Sequence, residues 1–368
     1  MKLLIQHRHF KNEIAGVLTY INALIPELET RGIEVKTIST REEQINDWIK
    51  LILWSDIVHM NSNDLMFAVL CKIFNKKIIV KYHYCFYQSI HSQYEQMSFR
   101  QRLKTELIST LPKANYPLKW KLFTFVKWAR LSARISTALI ANSRTACSNF
   151  LGESCAFPWP VITLYNPIVV NSDSHPKNLE NLSNPYKFIF VGRLDHDKGV
   201  DVLLRAASIL KDENPNFQVL IIGDGSTANK LQQLTSTLEL VNHVSFLGKL
   251  SHQDVIAQLQ DALALVVPSR WQEPAGYVVL EAASTQTCSI VSKVGGLPEM
   301  TGTHGLFFEN EDFKGLAACM RYCLDHPNEI INRGFLCSQY VAENFSSALI
   351  ATQFLEICQQ LKPETAIH

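Results

Sequence analysis

Phe188-Ile189-Phe190-Val191-Gly192-Arg193-Leu194-Asp195-His196-Asp197-Lys198-Gly199, followed by the amphipathic run Val200 to Leu210, is the stretch whose reading decides the fold. An apolar run of strand length enters a glycine-containing loop and leaves it as a helix. In that arrangement the first backbone N–H groups of the helix and the positive end of its dipole point into the loop, which suits an anion. Arg193 and Lys198 add two positive charges to the same loop. The segment alone is equally compatible with Arg193 as a strand-end ion pair and Lys198 as a surface charge.

Working outward, the same alternation recurs on both sides. Before this stretch come Lys2 to Ile5, Gly16 to Thr30, Glu34 to Ile38, Asp56 to Met60 and Lys77 to Lys81. After it come Gln218 to Ile222, Val244 to Phe246, Leu263 to Val267 and Ser289 to Ser292. Short apolar runs separated by longer amphipathic ones indicate βαβ units and parallel sheets, hence an α/β chain. Residues Pro167 to Pro185 are rich in Asn, Ser and Pro without helical periodicity, so a linker is expected over 171–184. That divides the chain into a first domain over 1–170 and a second over 185–345, with a helical stripe over 346–361 at the far end.

Composition narrows the class. The chain has 368 residues, 35 Lys plus Arg against 34 Asp plus Glu, a net charge of +1, and 47% hydrophobic residues. Length predicts two or three domains, and neutrality excludes a global field that would draw the protein onto nucleic acid. The nine cysteines show neither a CxxC pair nor zinc-site spacing and read as buried thiols of a reducing compartment. The polar cluster His7-Arg8-His9 comes too early for a signal peptide, and no stretch is long and apolar enough to span a bilayer, so a cytoplasmic location is expected.

One region departs from neutrality. Between Arg100 and Arg134 nine basic residues (Arg100, Arg102, Lys104, Lys113, Lys119, Lys121, Lys127, Arg130, Arg134) face the single acid Glu106. Leu122, Phe125, Val126, Ala129 and Ala133 fall at helical spacing, with Tyr116, Trp120, Phe123 and Trp128 interleaved. Such a helix suits an anionic membrane surface, on whose inner face the protein would be peripheral. The alternative is an ordinary surface helix packing its apolar stripe on the first sheet. No nucleic-acid motif accompanies the charges.

A second segment sharpens the chemistry. Leu263 to Val267 leads into Pro268-Ser269-Arg270-Trp271-Gln272-Glu273-Pro274-Ala275-Gly276-Tyr277 and then a helix over Val278 to Ser284. Glu273 precedes that helix and Glu281 lies inside it, so the two carboxylates bracket another helix start with amides to offer a phosphate. Hydroxyls at both ends and phosphate in the middle describe a nucleotide sugar.

At these residues the chain resembles the retaining glycosyltransferases of the group 1 or family 4 type, which have the GT-B fold of two facing Rossmann-like domains with parallel sheets. The resemblance rests on Phe190-Val191-Gly192-Arg193-Leu194 with Lys198-Gly199, Ile222-Gly223-Asp224-Gly225, Phe246-Leu247-Gly248, Pro268-Ser269, Glu273 and Glu281 with seven residues between, and Gly295-Gly296-Leu297-Pro298-Glu299. Weaker similarity in Ala15-Gly16-Val17, Asp56-Ile57-Val58-His59, Tyr82-His83 and Leu139 to Ser143 extends it over the first domain.

The resemblance implies that Arg193 and Lys198 neutralise the donor diphosphate in place of a metal. Glu273 would hold the transferred sugar, Glu281 the ribose, and amides of Gly276, Tyr277 and Val278 the sugar and phosphate. The backbone around Leu247, Gly248 and Lys249 would border the base. Gly16 matches the first-domain loop that approaches the phosphates, and His83 a histidine near the reacting carbon. The final helix, here 346–361, would pack back on the first domain. Neither metal nor cofactor is expected, the nucleotide diphospho-sugar being a co-substrate, and Asp195-His196-Asp197 only looks like a DxD metal motif. The expected activity is transfer of a hexosyl group to a hydroxyl acceptor in glycolipid, lipid-linked oligosaccharide or polysaccharide synthesis. A sugar-nucleotide epimerase on the same fold and an inactive homologue serving as a binding partner are the alternatives, while a nicotinamide dehydrogenase is disfavoured because no GxGxxG follows the first strand. Departures from the family pattern are Ala15 before Gly16, Ala275 in place of an aromatic, Gln286 where a glycine usually ends the helix, and Asn166 followed by Pro167.

Overall fold

The computed structural model describes residues 1–10, 13, 15–84, 100–101, 104–105, 118–156, 158–169 and 177–361. They form two compact units, one from the residues up to Pro167 together with those from Ser347, the other from Ile168–Ser346.

The first unit runs β1 (Lys2–His7), α1 (Gly16–Thr30), β2 (Glu34–Ser39), α2 (Ile45–Trp54), β3 (Ile57–Met60), α3 (Leu65–Ile73), β4 (Lys77–Tyr82), α4 (Leu118–Ile140), β5 (Ser143–Ala146), α5 (Asn149–Cys155) and β6 (Ile162–Thr163). Its sheet has the order β2-β1-β3-β4-β5-β6 with every pairing parallel. The strands are apolar on both faces because helices cover both: Leu3, Leu4, Ile5, Val58, Ile78, Ile79 and Val80 are fully buried. Helix starts are fixed by side chains that accept orphan amides, Asp64 from Phe67 N at 3.2 Å and Ser148 from Leu151 N at 3.2 Å.

The second unit runs β7 (Tyr186–Val191), a 3₁₀ turn (His196–Lys198), α6 (Val200–Glu213), β8 (Phe217–Ile222), α7 (Ala228–Thr237), β9 (Val244–Gly248), α8 (His252–Asp261), β10 (Ala264–Val267), α9 (Tyr277–Ser284), β11 (Cys288–Ser292), α10 (Leu297–Thr301), β12 (Leu306–Phe308), α11 (Phe313–Asp325) and α12 (Pro327–Phe345). The strand order is β12-β11-β10-β7-β8-β9, again wholly parallel. Phe188, Phe190, Val219, Ile221, Val266 and Ile290 join Leu203, Leu210 and Met320 in one core. Each such side chain contributes about 1.5–3 kcal/mol by burial, so Phe188→Ala costs roughly 3–5 kcal/mol. β7 and β10 are adjacent at the centre, so the loops that follow them emerge side by side at the carboxyl edge, where open α/β sheets bind ligands.

The last helix, α13 (Ser347–Gln360), packs on α1 of the first unit, with Phe354 against the His59 ring at 4.8 Å between centroids. The expected linker is anchored rather than loose where it is described. Lys177 gives its amide to Gln286 Oε1 at 3.1 Å and its ammonium to Thr287 Oγ1 at 2.7 Å and the Leu259 carbonyl at 3.1 Å. These contacts are long-range, which is why composition did not show them.

Candidate active site

In the second unit the loop after β7 carries Arg193 and Lys198. Arg193 donates to the Asp195 carboxylate and lies 3.5 Å from Asp197 Oδ2, with its side chain still 65% exposed. Asp195 is held by the Ser226 hydroxyl (2.7 Å) and amide (3.1 Å), and these bonds, with Arg193 behind them, keep its carboxyl below the usual range. The two aspartates of the DxD-like triplet therefore orient an arginine. Among the described residues no group of three or more His, Cys, Asp and Glu side chains is placed to hold a metal ion.

Lys198 ends the 3₁₀ turn, and its ammonium forms an ion pair with Glu273 while lying 5.4 Å from the centre of the Trp271 ring. Gly199 next to it is left-handed at φ +67°, and a Cβ there would stand 1.9 Å from the Pro268 carbonyl oxygen. Only glycine allows the loops after β7 and β10 to meet this closely.

The loop after β10 presents Glu273, 8% exposed, which also accepts from the Ser269 hydroxyl at 2.9 Å. Its backbone carbonyl accepts from Gly296 N at 2.7 Å, tying in the loop after β11. Gly276, Tyr277 and Val278 form the start of α9, with Gly276 left-handed at φ +60°. Glu281 follows on the same helix, its side chain 16% exposed and 3.6 Å from His252 Nδ1. Burial pushes its carboxyl above the ordinary value, and His252 opposes that only in part. Leu247 and Gly248 end β9, where the Gly248 carbonyl accepts from Gly223 N at 2.8 Å.

The structure thus joins Lys198 to Glu273 directly, gives Arg193 partners in its own loop and gives Glu281 a partner on α8. Sequence reading missed these partners. Asp195 and Asp197 were visible as carboxylates two and four positions from Arg193, whereas Ser226, Ser269 and His252 carried no local signal.

Gly16 and His83 belong to the first unit. Gly16 opens α1, where the Ala15 carbonyl accepts from Leu18 N and Thr19 N. His83 shares a hydrogen bond of 2.9 Å between Nε2 and Asn61 Oδ1 and packs edge-on against Tyr20 at 5.3 Å. Burial, reinforced by Lys81, holds its pKa well below 6.5, so the imidazole is neutral at physiological pH. Beside it lies a polar cluster that patterning did not reveal. The Tyr20 hydroxyl meets His59 Nε2 at 3.0 Å, and Lys81, 2% exposed, donates to the carbonyls of Leu164 and Tyr165 with its ammonium 4.2 Å from the Tyr20 ring centre. Burial lowers Lys81 to about 7 and His59 to about 3.

Of the departures noted in sequence, Gln286 adopts φ +56°, the conformation a glycine would take, and Ala275 is buried. Much of the basic region lies outside the described residues: Arg102, Glu106, Lys113 and Tyr116 are not described, nor are the side chains of residues 118–124 and 127. On the visible part of α4, Phe125 (69%), Val126, Trp128, Leu139 and Arg130 are exposed, and the adjoining α3 exposes Met66, Val69 and Ile73. Phe125, Val126 and Ala129 face solvent rather than the sheet.

Residues 171–334 match the family described as Glycosyl transferases group 1, and the two parallel α/β units have the GT-B architecture. The chain is 32% identical over 177 residues to a glycogen synthase of Mycobacterium tuberculosis, which covers 48% of this chain and 42% of that protein. It is 31% identical over 211 residues to a D-inositol 3-phosphate glycosyltransferase of Corynebacterium efficiens, covering 54% and 49%. The chain therefore spans less than half the length of these curated relatives. Over nearly its whole length (98% of this chain, 100% of the other) the fold superposes on that of the Anabaena protein HepE, solved with UDP and with UDP-glucose, at a TM-score of 0.72 and 17–18% identity.

Proposed function

We propose that the protein is a retaining, metal-independent glycosyltransferase that moves a hexosyl group from a nucleotide diphospho-sugar to an acceptor hydroxyl. The observation that carries this reading is the Lys198–Glu273 pair, a cation and a carboxylate brought together from the loops after two central strands, with Glu281 one helix turn and more beyond. Cleavage of the bond from anomeric carbon to phosphate develops positive charge on the sugar and further negative charge on the diphosphate. A fixed ammonium and guanidinium stabilise that separation more than the ground state. Lys198 and Arg193 supply these charges, Glu273 accepts hydrogen bonds from sugar hydroxyls, and Glu281 accepts them from the ribose. The departing phosphate takes the proton of the acceptor hydroxyl on the same face, which retains the anomeric configuration. UDP-glucose, bound by HepE, is the first donor to try.

The exposed apolar residues of α3 and α4 beside Arg130 support a lipid-linked acceptor at an anionic bilayer. Thermal stabilisation of the purified protein by a panel of nucleotide sugars tests the donor site, because a bound ligand raises apparent stability by mass action. Stabilisation is expected from one donor and is lost in Arg193→Ala and Glu281→Ala. Absence of stabilisation by every donor, or its persistence in both variants, defeats the assignment. Retention on liposomes containing anionic lipid at low salt tests the membrane part separately, and full recovery of the protein in the unbound fraction defeats it.

A further inference from the structure

The loop between β10 and α9 contains a charged residue that the chemistry above leaves unused. Arg270 is 7% exposed, and its guanidinium forms a fork on Asp201, Nη1 to Oδ1 at 2.6 Å and Nη2 to Oδ2 at 2.7 Å. Nε donates to Glu311 Oε1 at 2.5 Å, and Nη1 also donates to the His196 carbonyl at 3.1 Å. The backbone joins in, because the amides of Arg270 and Trp271 both donate to the Asp197 carbonyl, at 2.9 and 3.2 Å. Asp201 sits in the first turn of α6, the helix that the Lys198 loop enters. Burial works to raise its carboxyl, but the arginine fork overrides this and holds it below the usual value.

These contacts have a direction. On one side are His196, Asp197 and Asp201, which flank Lys198 in the chain. On the other, Arg270 is followed at once by Trp271, whose ring lies against the Lys198 ammonium, and three positions later by Glu273, its ion partner. A flat, five-donor group is needed to reach Asp201, Glu311 and the His196 carbonyl together, and lysine has neither the plane nor the reach.

We propose that Arg270 is a positioning residue for sugar transfer: its guanidinium locks the loop bearing Trp271 and Glu273 to the loop bearing Lys198, and so sets where the ammonium and the carboxylate stand relative to the donor. The proposal rests on the glycosyltransferase reading for its catalytic consequence and on the geometry alone for the coupling. A displacement of about 1 Å at such a site costs on the order of 100-fold in rate.

The test is a double-mutant cycle of Arg270→Gln with Lys198→Ala, read in two ways. In denaturant unfolding without ligand, the two changes are expected to be non-additive, since without its ammonium the site has no pair left to misplace. In transfer kinetics, Arg270→Gln is expected to lower kcat roughly 10- to 100-fold with less than a 3-fold change in the donor KM, and to add less than 3-fold in the Lys198→Ala background. Arg270→Lys restores only part of the rate. Should Arg270→Gln fail to fold, Glu311→Gln, which leaves the Asp201 fork in place, is expected to give the same pattern more weakly. Additive effects in both cycles overturn the proposal. If no donor is turned over by the wild-type protein, the glycosyltransferase reading falls, and the unfolding cycle still decides whether Arg270 and Lys198 are coupled.

Discussion

Gly199→Ala makes the sharpest test of how the site is built. A Cβ at Gly199 would lie 1.9 Å from the Pro268 carbonyl oxygen, whereas ordinary contact begins at 3.4 Å. The loops after β7 and β10 must therefore part by well over 1 Å. The left-handed conformation at φ +67° adds about 1 kcal/mol for any residue with a side chain. Overpacking of this kind costs a further 1–3 kcal/mol or so, for a total of about 2–4 kcal/mol. For a unit of this size each kcal/mol lowers Tm by roughly 2–4 °C, giving about 4–16 °C. Because Lys198 adjoins Gly199 and Glu273 lies on the opposed loop, the rate of the proposed sugar transfer is expected to fall about 100-fold as well. Gly32→Ala provides the control: φ is +74°, nothing lies within 4 Å of the added Cβ, and the change is expected to cost only about 1 kcal/mol without loss of activity. Thermal unfolding and initial rates of both variants decide. If Gly199→Ala matches Gly32→Ala in both measurements, the two loops do not depend on each other.

Two further predictions concern pH. Burial raises the Glu281 carboxyl in the folded protein, so its contribution to stability is fully present below the unfolded value and is lost as pH rises through the folded one. Glu281→Gln is therefore expected to raise Tm at pH 7 while weakening donor binding, and a Tm at or below wild type contradicts this. Lys81 has the opposite sign: with its folded pKa lowered to about 7, its contribution is present above the unfolded value of 10.5 and is lost as pH falls through 7. Stability of the first unit should then rise between pH 7 and 10.5, and Lys81→Met should flatten that rise. An unchanged slope in denaturant titrations across this range refutes it.

The alternation of apolar runs was enough to read parallel α/β units, because helices on both faces of a sheet leave strands with no polar side to present. The loop after β7 and the carboxylates of Glu273 and Glu281 were likewise legible, since a strand end, a tight turn and a helix start follow one another within a dozen residues. Boundaries were read less well: β1 extends to His7 and α4 spans Leu118–Ile140, further than periodicity indicated, because packing against neighbours extends elements past their patterned centres.

What sequence alone determined, then, is which residue types stand at the ends of which strands, a matter of local order along the chain. Tertiary structure decided their pairing. Lys198 meets Glu273 from 75 positions away, and Arg270 meets Asp201 from 69. Asn61 meets His83, and Lys81 finds carbonyls more than 80 residues downstream. Ion pairs and hydrogen bonds act over a few ångströms and depend on orientation, so they are set only once the sheet order has placed two loops side by side, and no spacing rule along the chain encodes that order.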